Sequence, residues 1–364
     1  MFLPSISLLA CGLSTTFALT YSGLDWSSAT TVEQSGISYQ TVGGTKEPLE
    51  KILVASGVNT VRQRVWVTSG AHGLDYNIAL AKRAKAAGLG VYLDFHYTNS
   101  WADPVMVSLG NEIRNGLLWP TGRTPSYANI ARLLKSAAQG IKDSGLNPQP
   151  KIMIHVDNGW NWSQQQSFYR QTLAQGTFTT NDFDIIGVSY YPFYNTDATL
   201  ASLKSSLTNI ANTWGKEIIV AETNWPISCP NPSRPFPSDT RDIPFSEAGQ
   251  VTWIKKVAAI VSEVKGGTGL FVWEPAWVRS PTLGSSCANN LMFSSSGRAL
   301  SSMSVFGTIA SGDGSGGGGG GGGGSGCAAL WGHLMPVPPT ISNDDPTIAG
   351  NPQISNNVCS FASG

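Results

Sequence analysis

The chain predicts a closed (β/α)8 barrel, one large domain with accessories at both ends. Three observations carry this. Apolar, β-rich runs recur eight times between residues 19 and 310; most are followed by a stretch of helical period; and the first strand-to-helix turn lacks the Gly-rich phosphate fingerprint of an open doubly wound sheet. The strands are expected at 19–24, 60–67, 90–95, 105–109, 151–156, 184–189, 217–221 and 269–273, with clear helices at 76–87, 127–144 and 247–264. The 364 residues carry 23 Lys+Arg and 23 Asp+Glu, so no basic face is available for nucleic acid or an anionic membrane. A hydrophobic share of 41% is ample for a large core.

The two ends read differently from the middle. Residues 1–18 form an uncharged apolar run closing in Thr16-Phe17-Ala18, which reads as a signal peptide and places the protein outside the cell. From Ser311 to Gly326 the chain is a Gly/Ser linker holding nine consecutive glycines, followed by a 327–364 tail with two Cys, five Pro and no Lys, Arg or Glu. Both segments are expected to be disordered. Cys11 would leave with the signal, so Cys229, Cys287, Cys327 and Cys359 remain; an even number in a secreted chain favours disulfides, Cys229–Cys287 being the simplest pairing. Asn161-Trp162-Ser163 is a glycosylation sequon. No coiled-coil or charge pattern suggests association, so a monomer is expected.

In a barrel of this kind the chemistry gathers at the C-terminal ends of the strands. Those ends supply Asp25 and Trp26, Arg64 and Trp66, His96, Asn111 and Glu112, His155, Tyr191, Trp225, then Trp273 and Trp277. Two carboxylates stand out. Glu112, in Gly-Asn-Glu, closes the fourth strand, and Glu222, in Ala-Glu-Thr-Asn-Trp, closes the seventh. Facing strands bring such a pair to one cleft, and glycoside hydrolysis needs two carboxyl groups, one to protonate the leaving oxygen and one to attack carbon or activate water. A single Glu at a strand end is more often a salt-bridged helix N-terminus; two among many Trp favour catalysis. The flat indole face suits the C–H face of a sugar. The rival reading is a metal hydrolase using Asp94-x-His96 and His155-x-Asp157, but barrel metal sites want more ligands than these. No metal and no cofactor are expected.

The stretches Gly23-Leu-Asp-Trp-Ser-Ser, Val61-Arg-Gln-Arg-Val-Trp-Val, Asp94-Phe-His-Tyr, Trp101-Ala-Asp-Pro, Gly110-Asn-Glu-Ile-Arg-Asn-Gly, Leu118-Trp-Pro-Thr-Gly, Tyr190-Tyr-Pro-Phe-Tyr, Glu222-Thr-Asn-Trp-Pro and Trp273-Glu-Pro-Ala-Trp strongly resemble glycoside hydrolase family 53, the fungal arabinogalactan endo-β-1,4-galactanases. The resemblance implies a barrel that cleaves the β-1,4-galactan side chains of pectin with retention of configuration. It implies Glu112 as general acid/base, Glu222 as nucleophile, and a cleft lined by Asn111, Arg64, His96, Tyr191 and Trp273. It also implies a Cys229–Cys287 disulfide. Another retaining endoglycanase, a mannanase or cellulase, is the nearest alternative; a catalytically impaired, polysaccharide-binding barrel is the other. The tail's Gly326-Cys-Ala-Ala-Leu-Trp-Gly resembles the opening of a fungal cellulose-binding module whose pattern is lost after His333.

The chain departs from that family in one place. Only residues 97–104 join strand 3 to strand 4, where the family has a much longer stretch carrying a substrate loop and helix 3. A parallel crossover normally takes a dozen residues or more. Helix 3 is therefore expected to be missing, or strand 4 not to run parallel to strand 3.

Overall fold

The computed structural model describes residues 18–66, 71–96 and 104–311. The expected signal peptide, linker and tail, Trp101, and the side chain of His96 lie outside the described residues. Eight parallel strands close a barrel in the order β1-β10-β9-β8-β7-β4-β3-β2. In chain order these are β1 (Tyr21–Asp25), β2 (Thr60–Trp66), β3 (Gly90–His96), β4 (Met106–Ser108), β7 (Lys151–Val156), β8 (Ile185–Ser189), β9 (Glu217–Thr223) and β10 (Gly267–Val272). A short antiparallel hairpin, β5 (Gly116–Leu117) and β6 (Gly122–Arg123), follows β4. The helices are α1 (Ala29–Gln34), α2 (Leu49–Ala55), α3 (Leu74–Ala86), α4 (Tyr127–Lys142), α5 (Trp162–Leu173), α6 (Leu200–Trp214), α7 (Glu247–Glu263) and α8 (Val305–Ser311).

Alternation along the strands sorts the core into two layers. Tyr92, Met106, Met153, Ile185, Ile219, Ala221 and Phe271 meet inside the barrel as a separate cluster. The intervening residues, such as Val91, Leu93, Ile152, Ile154, Ile186, Ile218 and Val220, face the helices and join the large outer core. Gly23 shows how tightly the lumen is filled. A Cβ there would fall 2.3 Å from the Phe271 ring and 2.5 Å from the Thr60 carbonyl oxygen, so the ring occupies the space that any side chain at 23 would need.

The expected weak point is a parallel strand after all. β4 pairs with β3 (Tyr92↔Met106, Leu93↔Val107, Asp94↔Ser108) and with β7 (Met106↔Lys151, Val107↔Ile152, Ser108↔Met153). The Val105 amide donates to the Val91 carbonyl at 2.9 Å, and Lys151 N–H to the Val105 carbonyl at 3.1 Å. The link thus returns the chain from His96 to the level of Val91, about 17 Å of strand. Eight extended residues reach about 26–29 Å, enough for that return and too few to add a covering helix. Among the described residues there is no helix between β3 and β4.

Gly23→Ala is expected to destabilise the barrel by about 1–3 kcal/mol, the usual effect of forcing a methyl into a filled core. Urea unfolding checks this; an unchanged midpoint would mean the Phe271 ring can move aside.

Candidate active site

The mouth of the barrel is organised around one buried cation. Arg62 is the second residue of the inward-facing set of β2 and has no exposed surface. It donates to Asp25 at 2.6 Å and to Asp94 at 2.8 Å, pairs with Glu222 at 2.8 Å, and donates to Asn111 Oδ1 at 2.9 Å. Its partners therefore come from β1, β3, β9 and the turn after β4. Two residues along the same face, Arg64 pairs with Glu274, whose carboxylate also accepts from the Ser28 hydroxyl at 2.8 Å. The Arg64 guanidinium lies over the rings of Trp273 and Trp277, at 5.6 and 5.7 Å from their centroids.

Glu222 reaches the mouth because β9 is irregular. Ile219 and Ala221 point into the barrel, so strict alternation would turn Glu222 outward. The register slips between Val188↔Val220 and Ser189↔Glu222, and this bulge turns Glu222 inward. Thr223 then faces the helix layer, where its hydroxyl accepts from Trp253 Nε1 at 2.9 Å. Tyr191 donates to Glu222 Oε2 at 2.8 Å. Glu112 is aimed differently. Gly110 (φ 102°) and Glu112 (φ 49°) both sit in left-handed conformation just past β4. For a non-glycine residue that is a strain of about 1–2 kcal/mol, typical of functional turns. Beside it, the Ser189 hydroxyl bonds to the buried His155 Nε2 at 2.9 Å.

Glu112 and Glu222 line one cavity of about 510 Å³, together with Arg64, Asn111, Tyr191 and Trp273. Five carboxyl groups, from Asp25, Asp94, Glu112, Glu222 and Glu274, gather around two guanidiniums, from Arg62 and Arg64. Full ionisation would leave this half-dry site strongly negative, so protons are retained. Burial pushes Glu222 up to about 8, with Glu112 adding to the rise and Arg62 and the Tyr191 hydroxyl opposing it. Burial also raises Glu112, and the neighbouring Asp157 carboxylate raises it further. Both groups line the same cavity, and the Glu112 carboxylate opposes ionisation of Glu222.

The other expected residues divide. Asp25 is buried as an Arg62 partner rather than cavity lining. Trp26 has no exposed surface; it packs in the core with the Arg83 guanidinium over its ring, and so is not a cleft residue. Trp225 is likewise core, stacked on Trp253 with centroids 5.1 Å apart, its Nε1 donating to the Pro244 carbonyl. His155 lies beneath the cavity behind Ser189. Trp66 is half-exposed against the His72 ring, outside the cavity, and Trp277 flanks it through Arg64. Asn161 caps α5 by accepting from Gln164 N–H through Oδ1, and a glycan would attach at its other amide atom, Nδ2. Cys229 and Cys287 form a disulfide that ties the loop after β9 to the loop after β10. Among the described residues, no group of His, Cys, Asp and Glu is arranged to hold a metal ion.

Sequence reasoning missed Arg62, Asn158 and Tyr194; Asp157, Ser189 and Glu274 are legible as strand-end residues, but not their partners. Arg62 carried a signal: it stands two positions from Arg64, so a strand puts both on one face, and a charged residue in mid-strand of a closed barrel must be paired.

A parallel eight-stranded barrel with facing carboxylates on its fourth and seventh strands, β4 and β9, defines a barrel glycosidase. The profile of Glycosyl hydrolase family 53 matches residues 21–106 and 104–306, and the chain belongs to that family. It is 58% identical over 329 residues to the arabinogalactan endo-beta-1,4-galactanase of Thermothelomyces thermophilus, covering 79% of this chain and 99% of that protein. Among solved structures, one described as a fungal beta-1,4-galactanase is 58% identical with a TM-score of 0.78, over 79% of this chain and 99% of the other. The GH53 catalytic domain of Ignisphaera aggregans is 28% identical with a TM-score of 0.66, over 84% and 99%. The 329 positions aligned with the Thermothelomyces protein fall on 79% of 364 residues, about 288, so about 41 of them have no counterpart here. The family match breaks where its two segments meet, at 104–106, which is the short link between β3 and β4.

Glu222 yields a stability prediction whose sign can be worked out. Its carboxyl ionises at about 8 in the folded state and near 4.3 in the unfolded chain. Its contribution to stability is therefore full below about pH 4 and is lost as pH rises towards 8. Glu222→Gln is expected to unfold at a higher temperature than the unaltered protein at pH 8 and at nearly the same temperature at pH 4. Thermal melts across that range check it; a constant difference would show that Glu222 ionises normally. Arg62→Leu is expected to destabilise by about 3–5 kcal/mol, because it strands Asp25 and Asp94 in the barrel. Chemical denaturation measures this.

Proposed function

We propose that this protein is a secreted, endo-acting retaining β-1,4-galactanase that hydrolyses the (arabino)galactan side chains of pectin as a monomer and without a cofactor. The observation that carries the reading is the pair Glu112 and Glu222 lining one cavity at the mouth of a family 53 barrel. The close relatives, named as arabinogalactan endo-beta-1,4-galactanases, supply the substrate class. The apolar run at 1–18 supports export.

The roles follow from the partners. Glu222 contacts the Arg62 cation and the Tyr191 hydroxyl, both of which favour a negative oxygen, so it is the nucleophile; because burial holds its ionisation up at about 8, it attacks only after giving up that proton. Among the described residues no cation lies at hydrogen-bond distance from Glu112, and burial and Asp157 raise it, so it is the proton donor. In the first step a Glu222 oxygen attacks the anomeric carbon while the Glu112 proton passes to the leaving glycosidic oxygen. The ionised Glu112 then takes a proton from water, whose oxygen displaces Glu222 and restores both groups. Asn111, held by Arg62 beside Glu112, presents its amide to the cavity and is placed to donate to a sugar hydroxyl. Trp273, held by Asn224 through its carbonyl at 2.8 Å, offers an apolar wall to a sugar ring.

Glu112→Gln and Glu222→Gln are each expected to lower turnover of β-1,4-galactan by about 10³-fold or more while leaving the fold intact. Reducing-sugar release on a panel of galactan, mannan and cellulose measures both rate and substrate. Half the original rate in either variant would end the assignment, and preference for mannan or cellulose would move the substrate.

A further inference from the structure

Glu112 sits on a turn with little support from its own strand. β4 has three residues, and its pairing with β3 ends at Asp94↔Ser108. Past Ser108 the turn is tied to β7 by the Leu109 amide, donating to the Met153 carbonyl at 2.9 Å, and to β2 by Asn111. A third tie is a fork. Arg114, two residues beyond Glu112, donates to Asp157 Oδ1 from Nε at 2.8 Å and to Oδ2 from a terminal nitrogen at 3.0 Å. Asp157 follows β7 directly, borders the cavity, and is itself held by Asn158 Nδ2 at 3.2 Å.

Both members of the fork are partly exposed, 30% and 23%. A pair so placed adds little to stability. Two parallel hydrogen bonds between planar groups do fix an orientation, which a lysine could not. The fork spans from the turn of Glu112 to the neighbouring strand on the side away from the short link. About forty of the positions aligned with the close relative have no counterpart here, and the family match breaks at 104–106, where the link enters β4.

We propose that the Arg114–Asp157 fork is a positioning device for Glu112, pinning its left-handed turn to the end of β7. This rests on the reading of Glu112 as the acid/base. The fork also surrounds Glu112 with two opposite charges. Asp157 raises the pH at which Glu112 ionises, and the mutual attraction between Arg114 and Glu112 lowers it. The other titratable groups facing Glu112 are Arg62, Asp94, Glu222, Tyr191, Tyr194 and His155 behind Ser189; none of them changes in the variants below.

The two halves of the fork therefore act with opposite sign on charge and with the same sign on geometry. Asp157→Asn is expected to move ionisation of Glu112 to lower pH and Arg114→Gln to higher pH, each by a measurable fraction of a unit or more. The double variant should return close to the starting value. Turnover of galactan should fall about ten- to a hundredfold in both single variants, in kcat rather than KM. Arg114→Lys keeps the charge and loses the fork; it should leave the ionisation of Glu112 in place and still lower kcat. The measurements are the ¹³C chemical shift of glutamate carboxyls against pH, with the Glu112 signal assigned by its loss in Glu112→Gln, and kcat and KM on soluble galactan.

Arg114→Gln and Arg114→Lys with undiminished kcat would overturn the proposal, as would single variants that shift Glu112 in the same direction. Failure of Arg114→Gln to fold while the double variant also fails would make the pair structural and overturn it too. Turnover surviving in Glu112→Gln would instead overturn the assignment of Glu112 as acid/base. Should no variant and not even the unaltered chain turn over galactan, the titration still decides: absence of opposite shifts rejects the fork.

Discussion

A guanidinium with no access to water sits where the strands of this barrel open, and most of the site is a consequence of it. Left alone, such a charge would cost several kcal/mol in desolvation. Arg62 is held only because Asp25, Asp94, Glu222 and Asn111 converge on it from four other places in the chain. Buried ion networks are weak contributors to stability compared with apolar packing of the same volume. What this one supplies is relative position. A rotation of β9, or a sideways step of β4, would remove a partner that no water replaces. The distance between the turn carrying Glu112 and the strand carrying Glu222 is thus fixed by the same cation that favours charge on Glu222.

The surplus of carboxyl groups over guanidiniums explains why an arginine contact does not leave Glu222 as an ordinary ionised carboxylate. Arg62 is already matched by Asp25 and Asp94 before Glu222 approaches. Burial then dominates and raises Glu222, and the facing Glu112 has the same tendency. Two carboxyls that both resist ionisation suit a reaction that needs one acid and one base.

The architecture was legible in the sequence because barrel strands announce themselves by apolar runs and by the helices between them. All eight strands lie within two residues of expectation at either end. The aim of the side chains was less legible. Period-two alternation would have turned Glu222 towards α7, and only the slip against Ser189 reverses it; nothing in Val-Ala-Glu-Thr marks a bulge. Trp26 and Trp225 follow their strands just as Trp273 does, yet the first two are enclosed and the third is not. Strand-end position fixes the height of a side chain in the barrel, not its direction. Arg62 was the opposite case. Its position in mid-strand, in step with Arg64, already required buried anionic partners; Asp25 is level with it on β1, and Asp94, level with Arg64 on β3, reaches back to it.

Closure of the barrel despite the short link follows from what a strand in that place must satisfy. β3 and β7 each present a row of amides and carbonyls towards the gap between them. If β4 swung away, both rows would be left without partners beside the apolar lumen formed by Tyr92, Met106 and Met153. Six register pairs and the flanking bonds from Val105 and Leu109 prevent this. A helix outside the strands covers side chains; it does not supply any of those hydrogen bonds. Shortening the crossover therefore removes covering surface while leaving the pairing that holds β4 in line, because the eight residues still reach. The consequence falls instead on the segment just beyond β4, where backbone pairing has ended and orientation depends on side chains. That is where Asn111 is held by Arg62 and Arg114 by Asp157, and where Glu112 takes its left-handed conformation. In this barrel a short crossover tests the turn that carries Glu112 before it tests the fold.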